Sequence, residues 1–170
     1  MPWRYDPNHS YVGFAVQYLG IVTIKGRFTS ADVALTIDEE DPCHSTIEAT
    51  IQTESLVSDW DRRDQRLKED YLDVVQFPTM HFVSRWIEPR ADRYAVIGDL
   101  TIHGVTKEAE MAATFHGEAV DGRGNTRRGF SATTTVSRLD YQVPGKPVGG
   151  MEDVGELVEI TLEVSLNQDN

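Results

Sequence analysis

Apolar side chains recur at every second position along most of the chain, and this period limits the fold more than any other feature. The clearest run lies near the carboxyl end, where polar residues separate Val158, Ile160, Leu162, Val164 and Leu166. A period of two puts the apolar residues on one face of a strand and the polar residues on the other. The pattern occurs about eight times, which predicts antiparallel strands with one face towards a core and one towards solvent.

One segment interrupts the alternation. The stretch from Ser58 to Tyr71 is rich in helix formers, and its acidic first turn suits the helix dipole. Its few apolar residues, Trp60 and Leu67 among them, would share one narrow stripe of a helix. We therefore expect one short surface helix, at about residues 59–70, lying on the sheet or over one end of a barrel.

The chain shows no repeat period and no break in composition, so we expect one domain over residues 1–170. Strand edges are prone to unwanted pairing, and a fold with about eight strands controls them by closing the sheet or by stacking two sheets. The alternation alone therefore predicts an all-β protein that is either an antiparallel barrel or a sandwich.

Charge and composition exclude several classes of function. The formal net charge is −12, which disfavours binding to nucleic acids and to anionic membrane surfaces. The uncharged run Pro7–Ile24 contains polar residues that are costly in hydrocarbon, so we expect no membrane insertion. Cys43 is a lone cysteine and cannot form an internal disulfide.

The amino terminus has no signal-peptide pattern, which favours a cytoplasmic location. We expect a periplasmic or secreted location only if a longer precursor exists.

No local motif indicates catalysis or metal binding. The chain has five histidines, and none is spaced as a local metal-binding pair: His9, His44, His81, His103 and His116. There is no G-x-S-x-G nucleophile motif, and the glycine-rich stretch 122–129 is typical of a hairpin turn. We therefore assign no catalytic residue and no metal ligand.

Small residues share the inward phase of several strands with large apolar ones, for example Gly26, Ala49, Ser84 and Ala132. Small inward side chains leave volume for a ligand, but tapering barrels also need them where bulky neighbours cross the interior. The pattern leaves an open cavity and a filled interior as equal alternatives.

Motifs spread over nearly the whole chain match one family in order and spacing. They are the opening Trp3–Ser10, Gly26–Phe28, Arg63-Asp64-x-x-Leu67 with its exit at Phe77–Pro78, the most specific stretch Gly98–Lys107, Ser137–Tyr141, and Val154–Leu162. In these stretches the chain resembles the YceI-like family. Tyr71 and Tyr141 stand where the family commonly has phenylalanine.

The resemblance implies a lipocalin-like, antiparallel up-and-down barrel of about eight strands with one short helix and a long hydrophobic cavity. Family members are associated with polyisoprenoids, isoprenoid quinones and other amphiphilic chains. The resemblance thus implies a hydrophobic small-molecule partner, a bound polyisoprenoid, quinone or fatty amphiphile in place of any required cofactor, and a homodimer as one expectation. The motifs are structural and do not identify the ligand.

We therefore interpret the protein as a non-enzymatic carrier of a long-chain isoprenoid, isoprenoid quinone or other amphiphilic lipid. The predicted pocket residues are the large apolar side chains in the inward phase: Val12, Phe14, Val16, Tyr18, Phe28, Phe82, Trp86, Val96, Leu100, Phe115, Phe130, Val158, Ile160 and Leu162. Trp60 and Tyr71 are predicted at the pocket mouth, near the helix.

Two alternatives remain open from the sequence. The protein would be an enzyme acting on a small hydrophobic substrate if at least two of His9, His81, His103 and His116 met within hydrogen-bonding reach and faced a cavity. It would be a ligand-free interaction module if its own side chains filled the barrel.

Overall fold

A computed structural model describes residues 2–168 as a mostly antiparallel β structure with one short α-helix. The elements of this part of the chain are β1 (Arg4–Tyr5), β2 (Tyr11–Tyr18), β3 (Val22–Phe28), β4 (Ala31–Thr36), β5 (Thr46–Gln52), β6 (Leu56–Val57), α1 (Asp61–Arg66), β7 (Thr79–Pro89), β8 (Tyr94–Ile102), β9 (Val105–Val120), β10 (Thr126–Ser137) and β11 (Val154–Gln168). Short 3₁₀ turns lie at Pro7–His9, Pro42–His44, Thr53–Ser55 and Arg138–Tyr141.

The strands form one curled sheet in the order β4-β5-β7-β8-β9-β10-β11-β2-β3-β6, and β1 pairs with β11. Eight antiparallel steps separate β4 from β3, so these two strands run in the same direction. Only residues 29 and 30 join them, and they act as two halves of one bent strand. The sheet is therefore built from eight long strands, which confirms the prediction of an antiparallel, lipocalin-like barrel.

The helical segment begins at Asp61 and extends beyond α1 through a π-helical turn, Leu67–Leu72. Its start is held by Ser58, whose buried hydroxyl bonds the Asp64 carboxylate. The segment ends at Asp73, which adopts a left-handed backbone conformation with φ 49°. One short helix is confirmed, close to the predicted bounds. Within residues 2–168, no helix combines the length and the apolar character needed to cross a bilayer.

The two ends of the barrel differ. At the helix end lie α1, the β2–β3 turn, the β8–β9 turn and the segment 138–153, because these connect strands on that side. At the hairpin end lie the tips 37–45, 90–93 and 121–125. The Arg66 guanidinium binds Asp153 at 2.7 Å, which fastens the helical segment across its end of the barrel.

Candidate functional site

A cavity of about 630 Å³ lies inside the curled sheet, and all eight long strands contribute side chains to its wall. The wall is almost entirely apolar. Aromatic pairs lie along it: the ring centroids of Phe14 and Phe28 are 5.7 Å apart, and those of Phe115 and Phe130 are 5.0 Å apart. A register shift beside Gly129 places Phe130 directly opposite Phe115.

The structure brings most of the predicted pocket residues together on this wall. They are Val12, Phe14, Val16, Phe28, Phe82, Val96, Leu100, Phe115, Phe130, Val158, Ile160 and Leu162. These side chains come from seven different strands, and the regular alternation of each strand turns them inward.

Trp86 does not line the cavity, because the register of β7 against β8 shifts between Ser84 and Trp86. The extra residue of such a bulge reverses which side chains point inward after it. The Trp86 indole therefore lies outside, where it donates to Glu88 at 3.0 Å, and Ile87 takes its place on the wall.

Tyr18 also lies outside the cavity wall, with 41% of its surface exposed. It is the last residue of β2 and pairs with Val22 and Val154 at the helix end. The inward face of β2 still contributes Val16 to the wall. At Tyr18 the strand has run past the end of the cavity, so the same face meets solvent.

The predicted mouth is at the wrong end of the barrel. Tyr71 does touch the cavity, but it is only 3% exposed and belongs to its closed end. Trp60 is 57% exposed and does not line the cavity. Leu67, Tyr71 and Leu72 of the helical segment line the cavity and close that end, so the opening lies at the opposite one.

The closed end is built from buried side chains whose polar groups bond other parts of the protein. The Tyr71 hydroxyl donates to Glu152 at 2.7 Å, and burial together with this bond raises the pKa of Tyr71 to about 12. Arg138 is also buried and donates to the carbonyl oxygens of Gly155, Val143 and Val154 at 3.0 to 3.1 Å. These polar groups are satisfied without a ligand.

The cavity opens at the hairpin end, between the β4–β5 tip and the adjoining parts of β9 and β10. Phe115 lies on the wall there and is still 47% exposed. Four charged side chains border the opening: Asp38, Glu39, Glu118 and Arg128. Arg128 joins the two sides, because its guanidinium bonds Glu39 at 3.0 Å through two nitrogens and Glu118 at 2.9 Å through Nε.

A family model described as the YceI-like domain matches residues 3–166. The chain belongs to this family. A UPF0312 protein of Pseudomonas putida is 39% identical to this YceI-like chain over 142 residues, which are 82% of the chain and 74% of the relative.

Solved structures share the fold of this YceI-like domain. Burkholderia cenocepacia BcnA superimposes with a TM-score of 0.84 at 20% identity, over 95% of this chain and 98% of the other. A polyisoprenoid binding domain from Saccharophagus degradans, implicated in plant cell wall breakdown, gives a TM-score of 0.71 at 12% identity, over 98% of both chains.

The histidines of the YceI-like domain do not meet in the cavity. His9 bonds Asp6, His81 bonds Glu48 and His116 bonds Ser131, at 2.7 to 2.9 Å. The His103 ring lies 4.3 Å from that of Phe77. None of these histidines lines the cavity, and residues 2–168 contain no group of three or more metal-ligating side chains.

Sequence reasoning missed part of the wall. The missed apolar residues on β4 and β5 are Ala31, Val33, Leu35, Ile47 and Ile51. Their alternation is as regular as that of the residues that were chosen, so the signal was present in the sequence. The charged mouth residues had no such signal, because Glu39 and Arg128 are 89 positions apart and meet only after the sheet has curled.

Proposed function

We propose that this YceI-like protein is a carrier that holds a long-chain isoprenoid, isoprenoid quinone or other amphiphilic lipid inside its barrel. The observation that carries the proposal is the apolar cavity of about 630 Å³, closed at the helix end and open at the hairpin end. Ligand pockets typically measure about 300 to 1,000 Å³. An apolar space of this size recognises hydrocarbon by excluding water.

The size of the cavity favours long chains. If a methylene group takes about 30 Å³, the volume of one water in the liquid, the cavity holds about 20 such groups, or about four isoprene units. Burying a methylene is worth about 0.8 kcal/mol, so one isoprene unit gives about 4 kcal/mol and four give about 16. Association costs about 4 to 15 kcal/mol. One unit is therefore too little for stable binding, whereas four units suffice.

The comparisons support the same class of ligand. The Saccharophagus degradans protein that shares this fold is described as polyisoprenoid binding. The shared fold supports a hydrophobic ligand for the present chain, and because the two chains are only 12% identical the particular lipid is left to experiment. We propose that binding requires no cofactor.

The two alternatives receive less support from the structure. An enzyme of the predicted kind needs at least two histidines facing the cavity, and each of the four candidates has a partner elsewhere. A ligand-free interaction module needs a filled interior, and the cavity contradicts that requirement.

The proposal is tested by native mass spectrometry of gently purified protein, followed by titration with geranylgeraniol, a twenty-carbon isoprenoid alcohol. Retained adducts of several hundred daltons, and displacement of a fluorescent apolar dye by the alcohol at micromolar concentration, are expected. A protein that shows only its own mass and neither takes up the dye nor binds the alcohol would contradict the carrier proposal.

A further inference from the structure

Charged side chains touch the cavity at two places within residues 2–168. One is Arg138 at the closed end, which is buried and bonded to three backbone carbonyls. The other is the mouth cluster, which we define as Asp38, Glu39, Glu118 and Arg128. A ligand that enters tail first leaves its polar end beside the mouth cluster, so these four residues meet the head group.

The one cationic side chain of the mouth cluster, Arg128, is already paired with two carboxylates. Arg128 binds both oxygens of Glu39 and one oxygen of Glu118, and its guanidinium carbon lies 4.3 Å from the Trp3 ring. Trp3 also donates to Glu39 at 3.2 Å, which holds that carboxylate in place. Two-nitrogen contacts between arginine and a carboxylate are among the strongest hydrogen-bonded pairs in proteins. An incoming anion has to compete with Glu39 for Arg128.

Two carboxylates of the mouth cluster, Glu39 and Asp38, have pKa values below their ordinary ones. The hydrogen bonds from Arg128 and Trp3 lower the pKa of Glu39, and backbone N–H groups of Asp41 and Glu40 lower the pKa of Asp38. Three carboxylates against one guanidinium give the mouth cluster a formal charge of minus two. The His44 ring lies 3.8 Å from the Asp38 carboxylate, is largely exposed and carries a charge only when it is protonated.

We propose that the mouth cluster selects amphiphiles whose head group carries no negative charge, such as alcohols and quinones, and rejects phosphates and carboxylates. This inference rests on the proposed carrier function. A guanidinium has five N–H groups, and the bonds to Glu39 and Glu118 use three of them. A hydroxyl or carbonyl head group therefore finds donors in Arg128 without breaking an ion pair. A phosphate head group meets like charge, which specific binding sites use to exclude wrong partners.

The test compares geranylgeraniol with geranylgeranyl phosphate, which have the same chain, as competitors for a bound apolar dye. Both are used at concentrations where they stay monomeric. Coulomb repulsion across several ångströms, partly screened, predicts that the phosphate binds about tenfold more weakly at low salt. The ratio of the two affinities is expected to shrink as sodium chloride is raised, since salt screens the repulsion. This measurement uses the wild-type protein and does not depend on the folding of a variant.

A double variant, Glu39→Gln with Glu118→Gln, brings the formal charge of the mouth cluster from minus two to zero. The ratio of alcohol affinity to phosphate affinity is expected to fall towards one. Glu159→Gln is the matched control, because Glu159 is an exposed residue on the outward face of β11 and does not line the cavity. This control is expected to leave the ratio unchanged.

The outcomes separate the two proposals. If the alcohol displaces the dye and the phosphate does so equally well or better at low salt, the head-group inference is overturned and the carrier function stands. The head-group inference is also overturned if the control changes the ratio as much as the double variant does. If neither ligand displaces the dye, both proposals fail.

Discussion

Substituting Ala49 by phenylalanine fills part of the cavity from within and tests whether the interior is open. Ala49 lies on β5, where it pairs with Val33 and Phe82, and its side chain is on the cavity wall. The added ring takes roughly the place of one isoprene unit, about 4 kcal/mol of apolar burial. That energy equals about a thousandfold in affinity. The hydrocarbon chain of the ligand regains part of this lost burial by sliding towards the mouth. We therefore expect geranylgeraniol binding to weaken at least tenfold.

The free energy of unfolding of Ala49→Phe tests independently whether the interior is open. A ring forced into a packed core typically costs about 1 to 3 kcal/mol. A ring that enters an open apolar cavity buries new surface without a clash, so the free energy of unfolding of Ala49→Phe should be unchanged or increased. Urea denaturation measures this difference directly.

Ala34→Phe is the matched control, because Ala34 lies on the exposed outward face of β4 and does not line the cavity. We expect the control to bind geranylgeraniol as the wild type does. The reasoning is refuted if Ala49→Phe keeps full affinity, or if it loses more than about 1 kcal/mol of stability, the signature of a packed interior.

Three further predictions concern the ends and the wall of the barrel. Arg66→Ala should lose about 1 to 3 kcal/mol in urea denaturation at pH 7. Because Arg66 lowers the pKa of Asp153, this contribution is present above the unfolded value of 3.8 and is lost as pH falls through the lower folded value, so the deficit should shrink as pH is lowered below about 4. Tyr71, with its pKa raised to about 12, contributes stability below pH 10 that is lost as pH rises towards 12. An ultraviolet titration should show a tyrosine that ionises near pH 12, and this component should be absent from Tyr71→Phe. Gly98→Ala places a Cβ against the backbone carbonyl oxygen of Val83 on β7 and should cost about 1 to 3 kcal/mol, whereas Gly122→Ala, with no atom within 4 Å of its Cβ, should cost little.

The regular strands of the barrel were predictable from the sequence. On β11 the alternation of Val158, Ile160 and Leu162 continues without interruption because β10 and β2 hold that part of the strand from both sides. A strand paired on both edges keeps its pleat, so a count of positions is enough to identify the inward face. The order and direction of the strands followed from the same regularity together with the resemblance.

The two predicted pocket residues that do not line the cavity, Trp86 and Tyr18, lie where this regularity ends. Trp86 follows a bulge, and the sequence around Arg85 contains no glycine or proline that would have marked it. Tyr18 stands at the end of its strand, where an inward phase no longer means a position inside the cavity. Periodicity gives the face of a strand, but the depth of each residue along the barrel depends on where the neighbouring elements begin and end.

The position of the mouth depends on how the two ends of the barrel satisfy their polar groups. At the helix end, Tyr71 and Arg138 are buried, and their hydrogen bonds go to Glu152 and to backbone carbonyls, so a ligand has nothing polar to gain there. At the hairpin end, Glu39 and Arg128 keep contact with water while they border the same apolar space. A hydrocarbon tail is best placed against the closed end and a polar head against the open one. In the proposed carrier, the end that the helix covers would therefore receive the tail of the ligand, and the mouth cluster at the other end would meet the charge of its head group.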